Sequence, residues 1–166
     1  MKRVPLTQGQ VALVDDEDYE RVMEMSWHAC RDSKNNVWYA KHTQSVGIKK
    51  WKTIQLHKFI LRLTGKQRID HKNGDGLDNQ KENLRPCTPS LNGANRKVGV
   101  HSSPYKGVDF DSFSGSKKWR SQIMVNQKKM FLGRFETPEQ AARIYDEAAI
   151  RHYGDFARTN QQMGLL

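Results

Sequence analysis

The sequence has few cysteines and no long apolar run. Cys30 and Cys87 are the only two among 166 residues and stand far apart, which excludes a Cys-x-x-Cys pair and a four-cysteine zinc site. We interpret both as reduced thiols in a cytoplasm-like compartment. No apolar run reaches the length of a membrane span, and residues 1–5 are not followed by the apolar segment of a signal peptide. The sequence therefore predicts a cytoplasmic protein that has no membrane partner.

Negative charge is also scarce. The chain has 28 Lys and Arg residues and 18 Asp and Glu residues, which gives a net charge of +10. The net charge is +7 over residues 1–103, with 18 basic and 11 acidic residues, and +3 over residues 104–166, with 10 and 7. Such an excess of positive charge attracts polyanions, above all nucleic acid. The alternative explanation of the charge is a surface that is charged only for solubility.

The N-terminal zone, residues 1–66, predicts short strands and two helices. The strands are predicted at residues 10–14, 36–42 and 51–56. One helix is predicted to begin within residues 15–18, and a second helix to span residues 56–63. The acidic group at residues 15–18 indicates the start of the first helix, because carboxylates are favoured at the positive N-terminal end of a helix. We expect these strands to form a scaffold that supports the neighbouring zone, together with three tryptophans: Trp27, Trp38 and Trp51.

The C-terminal zone, residues 104–166, predicts a sheet with one helix across its back. Residues 119–125 alternate strictly between apolar and polar types, Asn126-Gln127 reads as a two-residue turn, and residues 129–135 return as a second strand. Thr137-Pro138 is typical of a helix start, and Gly154 ends that helix. A stripe of alanines lets the helix lie close to the sheet.

Between these zones, residues 67–97 are rich in Asn and Gly, which predicts a compact site held on loops. Asp70 and His71 are adjacent there, so on a strand their side chains would point to opposite sides. A neutral His, with an ordinary pKa of about 6.5, suits the activation of water. A hard cation on oxygen ligands suits the charge that develops when a phosphodiester is hydrolysed. The alternatives are a surface Asp–His salt bridge and a simple turn at residues 73–76.

Four short segments together carry a family resemblance: Leu56-His57-Lys58, Asp70-His71, Asn83-Leu84-Arg85 and Asn92. Their order and spacing resemble the HNH (ββα-metal) endonucleases, particularly the phage and intron-encoded homing type. The resemblance implies that His71 is the general base and that Asp70 and Asn92 are metal ligands. It also implies that Asn83 fixes the His71 ring through a hydrogen bond. Because Asn92 stands where many members have His, its amide oxygen favours magnesium or manganese over zinc. We expect His57 to have only a structural role.

The C-terminal zone resembles a second family through these segments: residues 105–108, 119–123, 131–135 and 137–149. From about residue 104 to Asn160 it looks like the plant ethylene-response-factor (Apetala-two type) DNA-binding domain. That resemblance implies a three-stranded sheet lying in the major groove, with the helix bracing its back. Plant members carry arginines where this chain has Asp109 and Asp111, so their base preference does not transfer to it.

Strand alternation assigns the two faces of the predicted sheet. The residues expected to point towards the helix are Ser121, Ile123 and Val125. The residues expected to face DNA are Lys106 on the first strand, Arg120, Gln122 and Met124 on the second, and Lys129 and Phe131 on the third. Gln122 can read adenine bidentately, and Arg120 can contact guanine or a phosphate.

The combined prediction is an α+β protein in three parts. Residues 1–98 are an HNH nuclease domain with a β-rich scaffold (1–55) and a ββα-metal core (56–97), residues 99–103 are a linker, and residues 104–166 are a sheet-plus-helix DNA-binding domain. The implied function is a metal-dependent endonuclease that nicks, or makes homing-type cuts in, double-stranded DNA at a target selected by the C-terminal domain.

One catalytic His predicts a single active centre in a monomer or weak dimer that needs a divalent metal but no small-molecule cofactor. The expected setting is the cytoplasm of a bacterial or phage-infected host. The alternative function is a non-enzymatic DNA-binding regulator with an inactive HNH remnant. An RNA-binding module is disfavoured, because the C-terminal zone lacks the aromatic and basic signature of an RNA-reading sheet.

Overall fold

Small antiparallel sheets and short helices alternate along the chain, which confirms the predicted α+β class. The computed structural model describes residues 1–33, 36–96, 103–113 and 115–166. The chain divides into two compact units, Met1–Cys87 and Thr88–Leu166. Within the described residues, no helix is both long enough and apolar enough to cross a membrane.

The predicted domain boundary and linker lie close to the division between the two units. The first unit ends before residue 98, because the next helix packs with the second unit. Of the predicted linker, residues 99–102 lie outside the described residues. The division into a nuclease domain, a linker and a DNA-binding domain therefore stays a prediction.

The first unit contains strands from three separate sheets. Its strands are β1 (Lys2–Pro5), β2 (Val11–Val14), β3 (His28–Asp32), β4 (Val37–Gly47), β5 (Lys50–Gln55), β6 (Arg68–His71) and β7 (Leu84–Cys87). Its helices are α1 (Asp16–Met23) and α2 (Leu56–Ile60). Strands β1 and β2 pair, β3, β4 and β5 form one sheet in that order, and β6 pairs with β7. Thus β6 and β7 form a short ladder inside the zone whose Asn and Gly content predicts a compact site held on loops.

One apolar cluster joins β1, β2, α1, α2, β6 and β7. Its largest fully buried side chains are Val4, Val14, Val22 and Leu56. Trp27 is buried in the same cluster and Trp38 packs partly against it, as the predicted scaffold requires. The prediction was wrong for Trp51, which is 68% exposed. Its strand, β5, continues beyond the part of the sheet that the cluster covers, so the described residues of the unit leave the indole exposed.

The second unit is a three-stranded sheet braced by a helix. Its elements are α3 (Pro89–Ala94), β8 (Val108–Phe110), β9 (Trp119–Val125), β10 (Lys128–Phe135) and α4 (Pro138–Tyr153). The strand order is β10-β9-β8, and all neighbours are antiparallel. Asn126 and Gln127 both have positive φ angles, of 49° and 65°, which suits the two-residue turn between β9 and β10.

Helix α4 begins and packs as the sequence predicts. The Thr137 hydroxyl accepts a hydrogen bond from the Gln140 N–H at 3.3 Å and so caps the helix. Ala141, Ala142 and Ala149 are buried in the clusters beneath the sheet. Small side chains on this face let the helix approach the strands closely.

Candidate active site and sheet surface

Strands β6 and β7 present the adjacent pair Asp70 and His71. In the ladder, Asp70 lies opposite Arg85 and His71 lies opposite Leu84. The two side chains have different partners, as strand alternation predicts. Both residues are only 5% exposed, so the alternative of a surface Asp–His salt bridge is wrong.

The loop between β6 and β7 is held closed by Asn83. The backbone N–H of Lys72 donates to the Asn83 carbonyl at 2.9 Å. The Asn83 side-chain oxygen accepts from the backbone N–H of Asn73 at 3.0 Å. Its amide nitrogen donates to the Asn73 side-chain oxygen at 3.1 Å and to the Asp78 carbonyl at 2.8 Å. Asn83 therefore ties the two ends of the loop together.

Strand β2 supports the same loop from the scaffold. The backbone N–H of Leu13 donates to the Leu77 carbonyl at 2.8 Å, and the N–H of Asn79 donates to the Leu13 carbonyl at 2.8 Å. The Asp15 carboxylate accepts from the backbone N–H of Lys81 at 2.8 Å. These bonds fix the Asn79 backbone next to the catalytic candidate.

The His71 ring contacts a different amide from the predicted one. Its Nε2 lies 3.4 Å from the Asn79 side-chain oxygen, whereas both amide protons of Asn83 are used within the loop. Asn79 is fully buried, and its own nitrogen donates to the Leu77 carbonyl at 2.9 Å, which turns its oxygen towards the ring. The assignment of Asn83 as the residue bonded to the ring is therefore corrected to Asn79. When Nε2 donates its proton to this oxygen, the ring lone pair lies on Nδ1.

A second histidine also packs on His71. The rings of His57 and His71 are 5.1 Å apart between centroids and meet edge to face at 83°. Tyr39 lies beside both, with its ring centroid 6.3 Å from that of His57 and 6.0 Å from that of His71. The sequence predicts only a structural role for His57, although its segment, Leu56-His57-Lys58, contributes to the family resemblance. Only the tertiary fold brings α2 onto β6.

Burial keeps both imidazoles neutral. It lowers the pKa of His71, while the Asn79 hydrogen bond and the carboxylates of Asp70, Asp75 and Asp78 oppose this shift. Burial, together with the neighbouring His71 and Lys58, lowers the pKa of His57 to about 3. At pH 7 the His71 ring is therefore in the form that can accept a proton.

The Asp70 carboxylate is oriented by Arg85 on the neighbouring strand. The Nε and Nη2 atoms of Arg85 both lie 2.8 Å from Asp70 Oδ2. Sequence reasoning did not assign a role to this arginine. Its contact follows from the β6–β7 register, which places the two side chains side by side.

Oxygen donors are the candidate metal ligands. Among the described residues, no three His, Cys, Asp or Glu side chains form a group that could hold a metal ion. Asp70 lies in the first unit, and Asn92 lies half-buried on α3 of the second. A carboxylate and an amide are hard donors, and magnesium commonly takes one or two such protein ligands and completes its shell with water and phosphate. Taken separately, each of these two donors is of the type that magnesium or manganese prefers.

A basic groove of about 780 Å³ opens beside the His57 ring. Its cationic lining residues are Arg31, Lys41, Lys58, Lys66 and Arg68. Asp32 is the only acidic side chain among the residues that line it. The groove therefore offers cationic groups to a polyanion near the His57–His71 pair.

In the second unit, the two faces of β9 follow the predicted alternation. Ser121 and Ile123 are buried, and Met124 is exposed. On β10, Lys129 lies opposite Met124 and Phe131 lies opposite Gln122, so these side chains share one face. We call this the reading face; its members are Arg120, Gln122, Met124, Lys129, Phe131 and Arg134. Arg134 was not predicted, but it lies opposite Arg120 after a register shift between Phe131 and Gly133.

Two carboxylates engage the polar groups of the reading face. Asp109 on β8 lies directly opposite Arg120, with its Oδ2 atom 3.4 Å from Arg120 Nη2, and it also accepts a hydrogen bond from the Gln122 amide. Asp111 binds Arg134 at 2.7 Å, and this contact lowers the pKa of the Asp111 carboxyl. These are the positions where plant members carry arginines.

Lys106 does not lie on the reading face, and its predicted place on the first strand was wrong. Strand β8 begins at Val108. The Lys106 ammonium instead donates to the carbonyls of Ala94, of Arg96 at 2.8 Å and of Arg158 at 3.1 Å. Carbonyls at the end of a helix attract a cation, which explains why the side chain turns towards α3. Burial lowers the pKa of Lys106 to about 8.

Comparison with known proteins gives relatives of two kinds. No family model matches the chain. An uncharacterized HNH endonuclease of Acanthamoeba polyphaga mimivirus is 32% identical over 114 residues, which cover 65% of this chain and 58% of the relative. An AP2-like ethylene-responsive transcription factor of Arabidopsis thaliana is 34% identical over 91 residues, covering 55% of this chain and 18% of the relative. An ethylene-responsive transcription factor of Medicago truncatula is 34% identical over 93 residues, covering 55% and 31%.

The chain thus spans just over half of the viral relative and less than a third of the two plant relatives. The similarities support both resemblances drawn from the sequence: one chain is similar both to a protein named an HNH endonuclease and to proteins named ethylene-responsive transcription factors.

Proposed function

We propose that this protein is a metal-dependent endonuclease that hydrolyses phosphodiester bonds in double-stranded DNA. The observation that carries the proposal is the buried, neutral His71 ring, held by Asn79 beside Asp70 on β6. The similarity to a protein named an HNH endonuclease supports the same reaction class. The net charge of +10 supports a polyanionic substrate.

Each residue of the site has a task in this reaction. His71 accepts the proton of the attacking water through Nδ1, since Nε2 faces the Asn79 oxygen. Asp70 and Asn92 would hold a divalent cation, which supplies charge neutralisation at the phosphate and at the leaving oxygen when it is bound. Arg85 keeps the Asp70 carboxylate in place, and Asn83 keeps the loop in place.

One general base in each chain predicts cutting of one strand in each event. A monomer then produces nicks, and a double-strand break requires two chains or two successive events. Target choice falls to the reading face, because a β-surface can enter the major groove, where each base pair presents a distinct pattern of donors and acceptors. Gln122 and Arg120 are the side chains there that suit base contacts.

The test is incubation of the full-length protein with supercoiled plasmid and magnesium or manganese, with and without a chelator. The proposal predicts metal-dependent conversion to nicked circles that the chelator abolishes. Binding of the plasmid without conversion at any concentration of either metal would contradict it.

That second outcome would favour a non-enzymatic DNA-binding regulator. One observation is consistent with this alternative: Arg85 engages Asp70 Oδ2 through two nitrogen atoms, and so competes with a cation for this oxygen. DNA phosphate that contributes ligands to the metal would help the cation to compete with Arg85 for Asp70. The plasmid in the experiment supplies that phosphate.

A further inference from the structure

Positive charge is concentrated in one segment of the first unit. Residues 33–69 contain nine Lys and Arg residues and no Asp or Glu, in a chain whose net charge is +10. This segment includes β4, β5 and α2. The segment therefore contributes more net positive charge than the C-terminal zone, and it forms this sheet and part of the groove lining.

Part of this sheet extends away from the core of the unit. Every residue from Thr43 to Thr53 is exposed, on both faces of the β4–β5 hairpin. We call residues 43–53 the hairpin arm. Its strands stay paired, with Thr43 opposite Thr53 and Ser45 opposite Trp51, and the two threonine hydroxyls lie 3.2 Å apart. The arm is therefore a regular hairpin whose side chains are available to a partner.

The tip of the arm combines large apolar side chains with cations. Ile48 is 93% exposed and Trp51 is 68% exposed. Lys49, Lys50 and Lys52 lie next to them in the sequence. Exposure of large apolar groups to water is unfavourable and marks an interaction surface when it recurs in one patch. The lysines select a partner that is negatively charged.

We propose that the hairpin arm is a second DNA-binding surface, in which Ile48 and Trp51 pack against bases of duplex DNA while the neighbouring lysines contact phosphates. This rests on the proposed function, which makes duplex DNA the substrate. Architectural proteins insert apolar side chains between base steps in this way, with cations on the flanking backbone. The complete absence of carboxylates from residues 33–69 favours a polyanion over a protein surface of mixed charge.

The arm is continuous with the candidate active site. Strand β4 runs from the arm to Lys41 and Tyr39, which line the basic groove. Lys58, on α2 after β5, lines it as well, next to His57, whose ring contacts His71. A duplex held by the arm and this groove would pass close to the proposed base. The arm thus positions the cleaved strand independently of the reading face in the second unit.

The first experiment measures DNA binding by the full-length protein without metal, so that no hydrolysis occurs. Ile48→Ala and Trp51→Ala are compared with Gln44→Ala, an exposed, uncharged position on the same arm. Loss of a stacking contact should weaken duplex binding about tenfold. Gln44→Ala should bind like the wild type. Lys50→Ala should reduce the slope of log affinity against log salt by about 0.9.

The second experiment follows Trp51 directly. Acrylamide quenching of the wild type minus that of Trp51→Phe isolates the exposed indole. We expect a 20-base-pair duplex to protect this component, and a single strand of the same sequence to protect it less. Equal affinity of Ile48→Ala, Trp51→Ala and Gln44→Ala for duplex DNA, or unchanged quenching on saturation with duplex, would overturn the proposal.

These readouts separate the arm from the catalytic proposal. Because every substituted side chain is exposed, the variants should keep the wild-type melting temperature, which is measured in parallel. Protection of Trp51 in a protein that never cuts DNA would support the arm and refute the nuclease. Metal-dependent cutting by variants that bind like the wild type would refute the arm and leave the nuclease intact.

Discussion

Acid should destabilise the first unit through His57, because the native structure admits only the neutral ring. The pKa of His57 falls from 6.5 to about 3 on folding. Below pH 6.5 the unfolded chain therefore binds a proton that the native protein does not. The stabilisation is fully present above pH 6.5 and is lost as pH falls towards 3. Each pH unit in this window costs about 1.4 kcal/mol, so the change from pH 7.5 to 4.5 should cost about 3 kcal/mol of unfolding free energy.

His57→Gln isolates this effect, since glutamine is polar but does not titrate in this range. Urea unfolding, followed by tryptophan fluorescence, gives the free energy at pH 7.5 and 4.5. The wild type should lose about 3 kcal/mol more than His57→Gln between these pH values. The depressed pKa of His71 acts in the same direction in both proteins and so largely cancels in the difference. His152→Gln, on α4 of the second unit, is the control. Equal pH dependence of the unfolding free energy in the wild type and His57→Gln would exclude His57 as the source of the acid destabilisation.

Three further predictions concern the proposed metal ligands, the reading face and Lys106, which the sequence places on the first strand of the sheet. Asp70→Ala and Asn92→Ala should each raise the magnesium concentration needed for half-maximal cleavage, because each removes an oxygen ligand; unchanged metal titrations would exclude both from the site. Asp109→Asn removes a carboxylate from the surface proposed to face DNA, so the affinity for every duplex should rise and the difference in affinity between duplexes should become smaller. Weaker binding in fluorescence anisotropy would contradict this. Lys106→Met should lower the melting temperature by removing the ammonium that donates to three backbone carbonyls, yet keep DNA affinity within about twofold. A large loss of DNA affinity in Lys106→Met would indicate that Lys106 contacts DNA.

The elements predicted best are those specified by neighbouring residues. Helix α4 follows from a capping threonine, a proline in its first turn and an alanine stripe, all of which act within a few residues. The β9–β10 hairpin follows from strict alternation around a two-residue turn. The composition of residues 67–97 does not locate strands β6 and β7, because four-residue strands among Asn and Gly give too short a pattern to distinguish from loops. Only the HNH resemblance implies strands there.

The parts that sequence could not predict depend on contacts between distant segments. Asn79 and Asn83 are both amides near His71, and only the bonds from β2 to the loop decide which one faces the ring. The contact between His57 and His71 requires α2 to pack against β6. Tryptophan is by type a core residue, but strand β5 extends beyond the core, so Trp51 is exposed.

In the proposed reaction His71 performs the chemistry, while other surfaces supply the affinity for DNA. Wild type and His71→Ala, both full length, are compared on one preparation of supercoiled plasmid, by gel shift without metal and by nicking with magnesium. We predict binding within about twofold of wild type and a nicking rate lower by about 10² to 10⁴. Nicking by His71→Ala at the wild-type rate would exclude His71 as the general base, because the proton of the attacking water would then have another acceptor.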